Sequence, residues 1–150
     1  MQFRKCHSCG ELTPEDAFRK GHYDCVWCQF CDMEKRAKAR YADKRKGAQH
    51  RLHIEKAEFV SWYTAQSDEC AYCGLTFPEL KRLRLRKGKG YCVSWDIDCI
   101  EPIKGYSEGN LALSCFVCNM AKGNTLSVQE MKVVGHAVRE VWRARLAATN

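Results

Sequence analysis

Apolar residues in this chain come in short, well-separated bursts, and each burst predicts one element. Phe59, Val60, Trp62 and Tyr63, within residues 56–66, follow the spacing of a buried amphipathic helix with the aromatics as core. Val93-Ser94-Trp95-Asp96-Ile97-Asp98 reads as a strand and Leu111-Ala112-Leu113-Ser114 as a second. The loop between them passes through Gly105 and Tyr106 to Asn110, and a helix is predicted from near Asn119. The clearest helix opens at Ser127, where Ser127-Val128-Gln129-Glu130 forms a capping box. Met131, Val134, Val138 and Val141 then recur at helical spacing and predict docking on the core. Residues 32–47 look different, with alternating charges and almost no apolar stripe, and predict an exposed helix. Thr13-Pro14-Glu15-Asp16 reads as a helix start capped by Thr13, and Lys87-Gly88-Lys89-Gly90 as a turn in a basic loop or hairpin. Strands and helices mix without an internal repeat, so the pattern predicts a small α+β fold.

The cysteines change this picture. There are eleven, and eight can be arranged as four Cys-x-x-Cys pairs. No apolar run reaches the length of about 18 residues needed for a membrane span. Met1-Gln2-Phe3-Arg4-Lys5 lacks the apolar stretch of a signal peptide. The expectation is therefore a soluble, cytoplasmic protein without a membrane association, in a compartment where thiols stay reduced. There the pairs read as zinc ligands rather than disulfides, because two intervening residues let both sulfurs face one tetrahedral ion. Two structural Zn²⁺ ions per chain are expected, one on Cys6, Cys9, Cys28 and Cys31, the other on Cys70, Cys73, Cys115 and Cys118. Cys25, Cys28 and Cys31 offer two overlapping pairs of which one is needed; the helix-like stretch that follows directly from Asp32 favours Cys28 and Cys31, with Cys25 then the spare. The expected division is an N-terminal zinc-binding unit over 1–34, a basic linker or arm over 35–55, and a core over 56–150 carrying the second zinc and the last helix.

The formal net charge is +7, and its excess is clustered. Lys35, Arg36, Lys38, Arg40, Lys44, Arg45, Lys46 and Arg51 form one group; Lys81, Arg82, Arg84, Arg86, Lys87 and Lys89 form another. Basic stripes beside zinc knuckles point to a nucleic-acid backbone, whose condensed counterions they release.

Chemistry concentrates in residues 92–124. Two strands packed on a helix can bring Asp98, at a strand end, and Asn119, directly after a zinc ligand, to a single ion. Both offer hard oxygen ligands, which suit Mg²⁺ or Mn²⁺. The motifs Cys70-x-Tyr72-Cys73-Gly74, Asp98-Cys99-Ile100-Glu101-Pro102, Gly105-Tyr106, Asn110-Leu111 and Cys115-x-x-Cys118-Asn119-x-x-Lys122 resemble the HNH endonuclease family. The likeness extends beyond them, through the N-terminal Cys pair, Phe59–Tyr63 and the Ser127–Met131 helix start, toward the rare-cutting restriction enzymes of that family. It implies a ββα-metal (His-Me finger) core with flanking helices and one catalytic Mg²⁺ (or Mn²⁺) held by Asp98 and Asn119. It also implies a homodimer acting on double-stranded DNA at a palindromic site. Cys99 stands where the family has its general-base His, and where the similar restriction enzymes have an Arg. By the same resemblance Tyr106 becomes the candidate activator of water and Asn110 the residue that orients the loop, with Lys104 or Lys122 as substitutes for the lost cation. His50 and His53 lie in the basic region, and His50 is the candidate contact to the scissile phosphate.

These readings converge on a sequence-specific, type II-like restriction endonuclease that hydrolyses DNA phosphodiester bonds with a divalent metal. A phage or mobile-element nicking or homing endonuclease of the same family is the first alternative. A non-catalytic zinc module that binds DNA or RNA is the second, and the missing His at Cys99 favours it.

Overall fold

The structure, a computed structural model, describes residues 2–18, 27–46, 52–92 and 94–148. Strand β1 (Phe3–Lys5) pairs antiparallel with β2 (Leu12–Pro14). A short 3-10 turn over Glu15–Ala17 follows, in place of the helix predicted from Thr13, and Pro14 rather than Thr13 stands at its start. Helix α1 spans Gln29–Lys46, β3 Leu52–His53, α2 Lys56–Thr64 and α3 Phe77–Leu83. The predicted basic hairpin forms as β4 (Arg86–Lys87) against β5 (Gly90–Tyr91), turning at Gly88 with φ 60°. Then come β6 (Asp96–Cys99), β7 (Tyr106–Ser107), β8 (Leu111–Ser114), α4 (Phe116–Lys122) and α5 (Val128–Ala148). The chain is thus a small α+β fold whose described strands all lie in two-stranded pairs.

One main core gathers α2, α3, β6, β8 and α5 around Phe59, Tyr63, Phe77, Trp95, Ile97 and Met131, all at most 1% exposed. A second, much smaller cluster holds Cys6, Phe18, Cys28 and Cys31. Among the described residues no helix is long and apolar enough to cross a membrane.

Helix α1 departs most from expectation. It begins beside Cys28, runs across position 34 without a break, and packs on α2. Its buried stripe is Met33, Ala37 and Tyr41, one residue per turn, which is too narrow to register against the surrounding charge. The flanking basic residues at the same four-residue spacing face inward too, because i and i+4 side chains share a helix face. Arg36 grips both oxygens of Asp68 at 3.0 Å, and Arg40 donates at 2.6 Å to Asp96 and to the Trp95 carbonyl. An expected solvated arm is therefore a bolt.

Helix α5 docks as expected, its capping box formed by Ser127 N–H donating to the Glu130 carboxylate at 2.8 Å and Glu130 N–H donating to the Ser127 hydroxyl at 3.3 Å. The docking residues differ in part. Met131, Gly135, Trp142 and Leu146 are buried, Val134 and Val138 pack at the margin, and Val141 is exposed. Gly135 marks the closest approach: a Cβ there would sit 2.2 Å from the Tyr72 carbonyl oxygen.

Candidate active site and metal centres

Each four-cysteine centre is built from one tight turn and one helix start. In the first, Cys6 and Cys9 flank a turn closed by Gly10 at φ 76°, and Cys28 and Cys31 lie at the start of α1. Cys25 lies outside the described residues. Ser8 and Cys28 donate backbone N–H groups to the Cys6 sulfur at 3.4 and 3.3 Å. Burial would raise the Cys6 pKa, but such N–H donors outweigh it and lower it to about 6, toward the thiolate.

In the second centre, Cys70 and Cys73 flank a turn closed by Gly74 at φ 64°, Cys115 caps α4, and Cys118 lies in its first turn. The turn is pinned to β8 by Ala71 N–H donating to the Leu113 carbonyl at 2.8 Å. In each centre the four sulfurs lie within 4.8 Å of one another, and Cys73 and Cys115 sulfurs are 3.9 Å apart. A tetrahedral zinc with Zn–S bonds of about 2.3 Å needs sulfurs about 3.8 Å apart. Both centres are compatible with structural zinc.

The antiparallel pair β6–β8 leads directly from the second centre into a polar face. Register pairs Asp96 with Ser114 and Asp98 with Ala112. Because side chains alternate along a strand, Asp96 and Asp98 share one face, and α4 packs against it. Asp98 is 5% exposed; Tyr72, from inside the Cys70–Cys73 turn, donates its hydroxyl to that carboxylate. Fully buried Lys122 lies 3.1 Å from the same carboxylate and donates to the Cys99 carbonyl at 2.8 Å. Asp96 meets Arg40 and Lys87, each at 2.6 Å. Asn119, expected to share an ion with Asp98, directs its amide to Asp96 at 3.4 Å. The two carboxylates and the amide thus form adjacent rungs between β6 and α4.

The loop from β6 to β8 is shaped by Asn110. Its side chain accepts from Glu101 N–H at 2.9 Å and donates to the Glu101 and Gly105 carbonyls at 2.9 and 2.7 Å. This fixes Gly105, at φ 60°, and the start of β7. Strand β7 pairs in parallel with β3, which sets Leu52 opposite Tyr106 and His53 opposite Ser107. Tyr106 is half-buried, and its oxygen accepts from the Lys44 ammonium at 2.9 Å. Burial, with Cys99, Asp98 and Asp96 adding, pushes the Tyr106 hydroxyl up to about 12. His50 lies outside the described residues.

Lys104 and Lys122 are the expected substitutes for the cation lost at Cys99, and neither is the lysine that meets the Tyr106 oxygen. Lys122 is committed to Asp98, and exposed Lys104 pairs with Glu101 at 2.6 Å. The cation there is Lys44, from α1. Lys44, Asp96 and Tyr72 are the site residues the sequence reading missed. Their signals were the Arg36-Arg40-Lys44 spacing, the Asp96-x-Asp98 alternation, and a tyrosine inside a knuckle.

No protein-family model and no curated protein matches this chain. Among solved structures, the rare-cutting HNH restriction endonuclease PacI, which perturbs DNA, is similar at 30% identity and a TM-score of 0.60. The match covers 95% of this chain and 97% of PacI. This chain belongs to the HNH endonuclease family.

Proposed function

We propose that this protein is a DNA endonuclease that hydrolyses phosphodiester bonds in double-stranded DNA at a specific, palindromic site, acting as a homodimer. What supports the reading most is the face of β6, where Asn119, directly after a cysteine centre, reaches Asp96, and Asp98 on the same face is held by Tyr72 and Lys122. PacI is a restriction endonuclease, and its likeness over nearly the whole chain points the same way. A two-fold dimer would present two such faces to the two strands of a palindrome.

Two zinc ions would occupy the cysteine centres as staples, with no part in the chemistry. Asp98 and Asn119 would hold one Mg²⁺ or Mn²⁺; the donor set is hard oxygen throughout, and a carboxylate already bonded by Tyr72 and Lys122 keeps lone pairs for an ion. Bound there, the ion supplies Lewis-acid stabilisation of the charge that builds on the leaving 3′ oxygen. Tyr106 orients the attacking water. Water's oxygen bonds to phosphorus and its proton passes to solvent, the P–O3′ bond breaks, and the leaving oxygen takes up a proton from solvent. Asn110 keeps Tyr106 in place by fixing the loop before it, and Lys122 holds Asp98 in register. Phosphate gripping falls to outward-facing basic residues such as Lys38 and Lys89, because Arg36, Arg40 and Lys44 are turned inward.

The test is incubation of purified protein with mixed-sequence plasmid DNA, with Mg²⁺ and with EDTA, followed by mapping of product ends. Discrete fragments that need Mg²⁺ are expected. Nicks without fixed ends would instead favour a loosely specific nickase, and binding without cutting would favour a zinc module with no activity.

A further inference from the structure

Along the inward face of α1, three cations stand one turn apart, and the third is unlike the others. Arg36 is matched by Asp68 and Arg40 by Asp96, both as ion pairs. Lys44 makes no ion pair with a carboxylate among the described residues. Its ammonium donates to the Tyr106 oxygen at 2.9 Å and stands 4.1 Å from the centre of the same ring. Burying a cation without a counter-ion is costly, so structural lysines seldom occupy such a place. The other cations of this face are already paired with carboxylates, Lys122 with Asp98 and both Arg40 and Lys87 with Asp96, which leaves Lys44 as the one that meets Tyr106.

We propose that Lys44 is the positioning residue of the reaction, holding the Tyr106 oxygen as a hydrogen-bond acceptor so that the hydroxyl is aimed at the attacking water. The proposal rests on the nuclease reading and on Tyr106 as its water-orienting group. Helix α1 would then couple the first cysteine centre to the chemistry, because the same helix carries Cys31 in its first turn and Lys44 near its other end. The charged ammonium is a far stronger donor than the neutral amine. The charged and titratable groups facing it are Tyr106 on β7, Asp96 and Cys99 on β6, Arg40 on α1 and Lys87 on β4. Burial lowers its pKa below the usual lysine value, with Arg40 and Lys87 adding and Asp96 and Cys99 opposing.

The experiment is single-turnover cleavage by wild type, Lys44→Met, Lys44→Arg, Tyr106→Phe and Lys44→Met/Tyr106→Phe, each over a range of pH, with DNA affinity and thermal melting measured in parallel. Lys44→Met should slow cleavage about 30-fold and Tyr106→Phe about 100-fold, in the range for a group that manages a proton in the transition state. The double variant should be no slower than Tyr106→Phe, because both act through one contact. DNA affinity should be unchanged by Lys44→Met. Wild-type cleavage should fall on the alkaline side as Lys44 loses its proton, and Lys44→Arg should recover most of the rate and move that fall to higher pH. If wild type cleaves but Lys44→Met matches it, slows it additively with Tyr106→Phe, or only weakens binding, the proposal is overturned while the nuclease reading stands. If wild type does not cleave with Mg²⁺, both fall. A Lys44→Met protein that fails to melt cooperatively leaves the decision to Lys44→Arg, whose unshifted pH profile would overturn the proposal.

Discussion

The two four-cysteine centres use the same ligands at the same spacing, yet they are embedded very differently. In the second, all four cysteines are buried, and its turn and helix are continuous with the main core. In the first, Cys9 is exposed, and the apolar company is little more than Phe18 and Trp27. The second centre also holds the site, since Tyr72 lies between two of its ligands and Asn119 follows a third. Among the described residues, the first is joined to the site by the length of α1. The same four-cysteine arrangement is thus set within the main core in one place and at the periphery in the other, and the surrounding burial makes the difference.

Serine at Cys118 breaks the comparison most strongly. Metal binding to a structural site is folding free energy, on the order of 10 kcal/mol. Cys118→Ser should abolish cooperative melting, whereas Cys9→Ser should cost only about 1–3 kcal/mol and leave the main-core transition intact. Melting curves with zinc counted per chain would check both. A chelator should accordingly remove one zinc quickly and the second only with unfolding, seen as two phases in metal release.

A smaller effect sharpens the role of close packing at the second centre. Gly135→Ala drives a methyl into the Tyr72 carbonyl, so α5 must shift away from the knuckle. The expected loss is about 1–3 kcal/mol, by denaturant unfolding, together with slower DNA cleavage because Tyr72 carries Asp98.

The smallest concerns a clamp outside both centres. Arg139 grips Glu79 at 2.9 and 3.1 Å, joining α3 to α5. Burial opposes ionisation of Glu79, but Arg139 and Thr76 outweigh it and hold its pKa below the usual value. A depressed folded pKa contributes stability that is present above the unfolded value of about 4.3 and lost as pH falls through the folded one. Glu79→Gln should remove that acid-side dependence and cost about 0.5–1 kcal/mol near neutral pH, measured by melting at several pH values.

Much of the site was legible because its chemistry is local. Spacing placed the cysteine pairs of each centre and the strand Leu111–Ser114 where they are observed, whereas the helix read from near Asn119 begins three residues earlier, at Phe116. What escaped was set at long range. Tyr106 meets Lys44 across 62 positions, through two-residue strands that no periodicity announces. Helix α1 hid its stripe because three apolar residues among many charges look solvated until the arginines find partners. On α5, Gly135 broke the apolar pattern at the very point of closest packing, so the docking face was read toward Val141 instead of Trp142 and Leu146.

The central claim is that Asp98 and Asn119 serve a divalent ion that cuts DNA. Asp98→Asn keeps the side chain's size and removes its charge, so its cleavage of DNA with Mg²⁺, compared with wild type at equal DNA occupancy, tests this most directly. A rate at least about 1,000-fold lower with affinity retained is predicted. Cleavage by Asp98→Asn at the wild-type rate would contradict it.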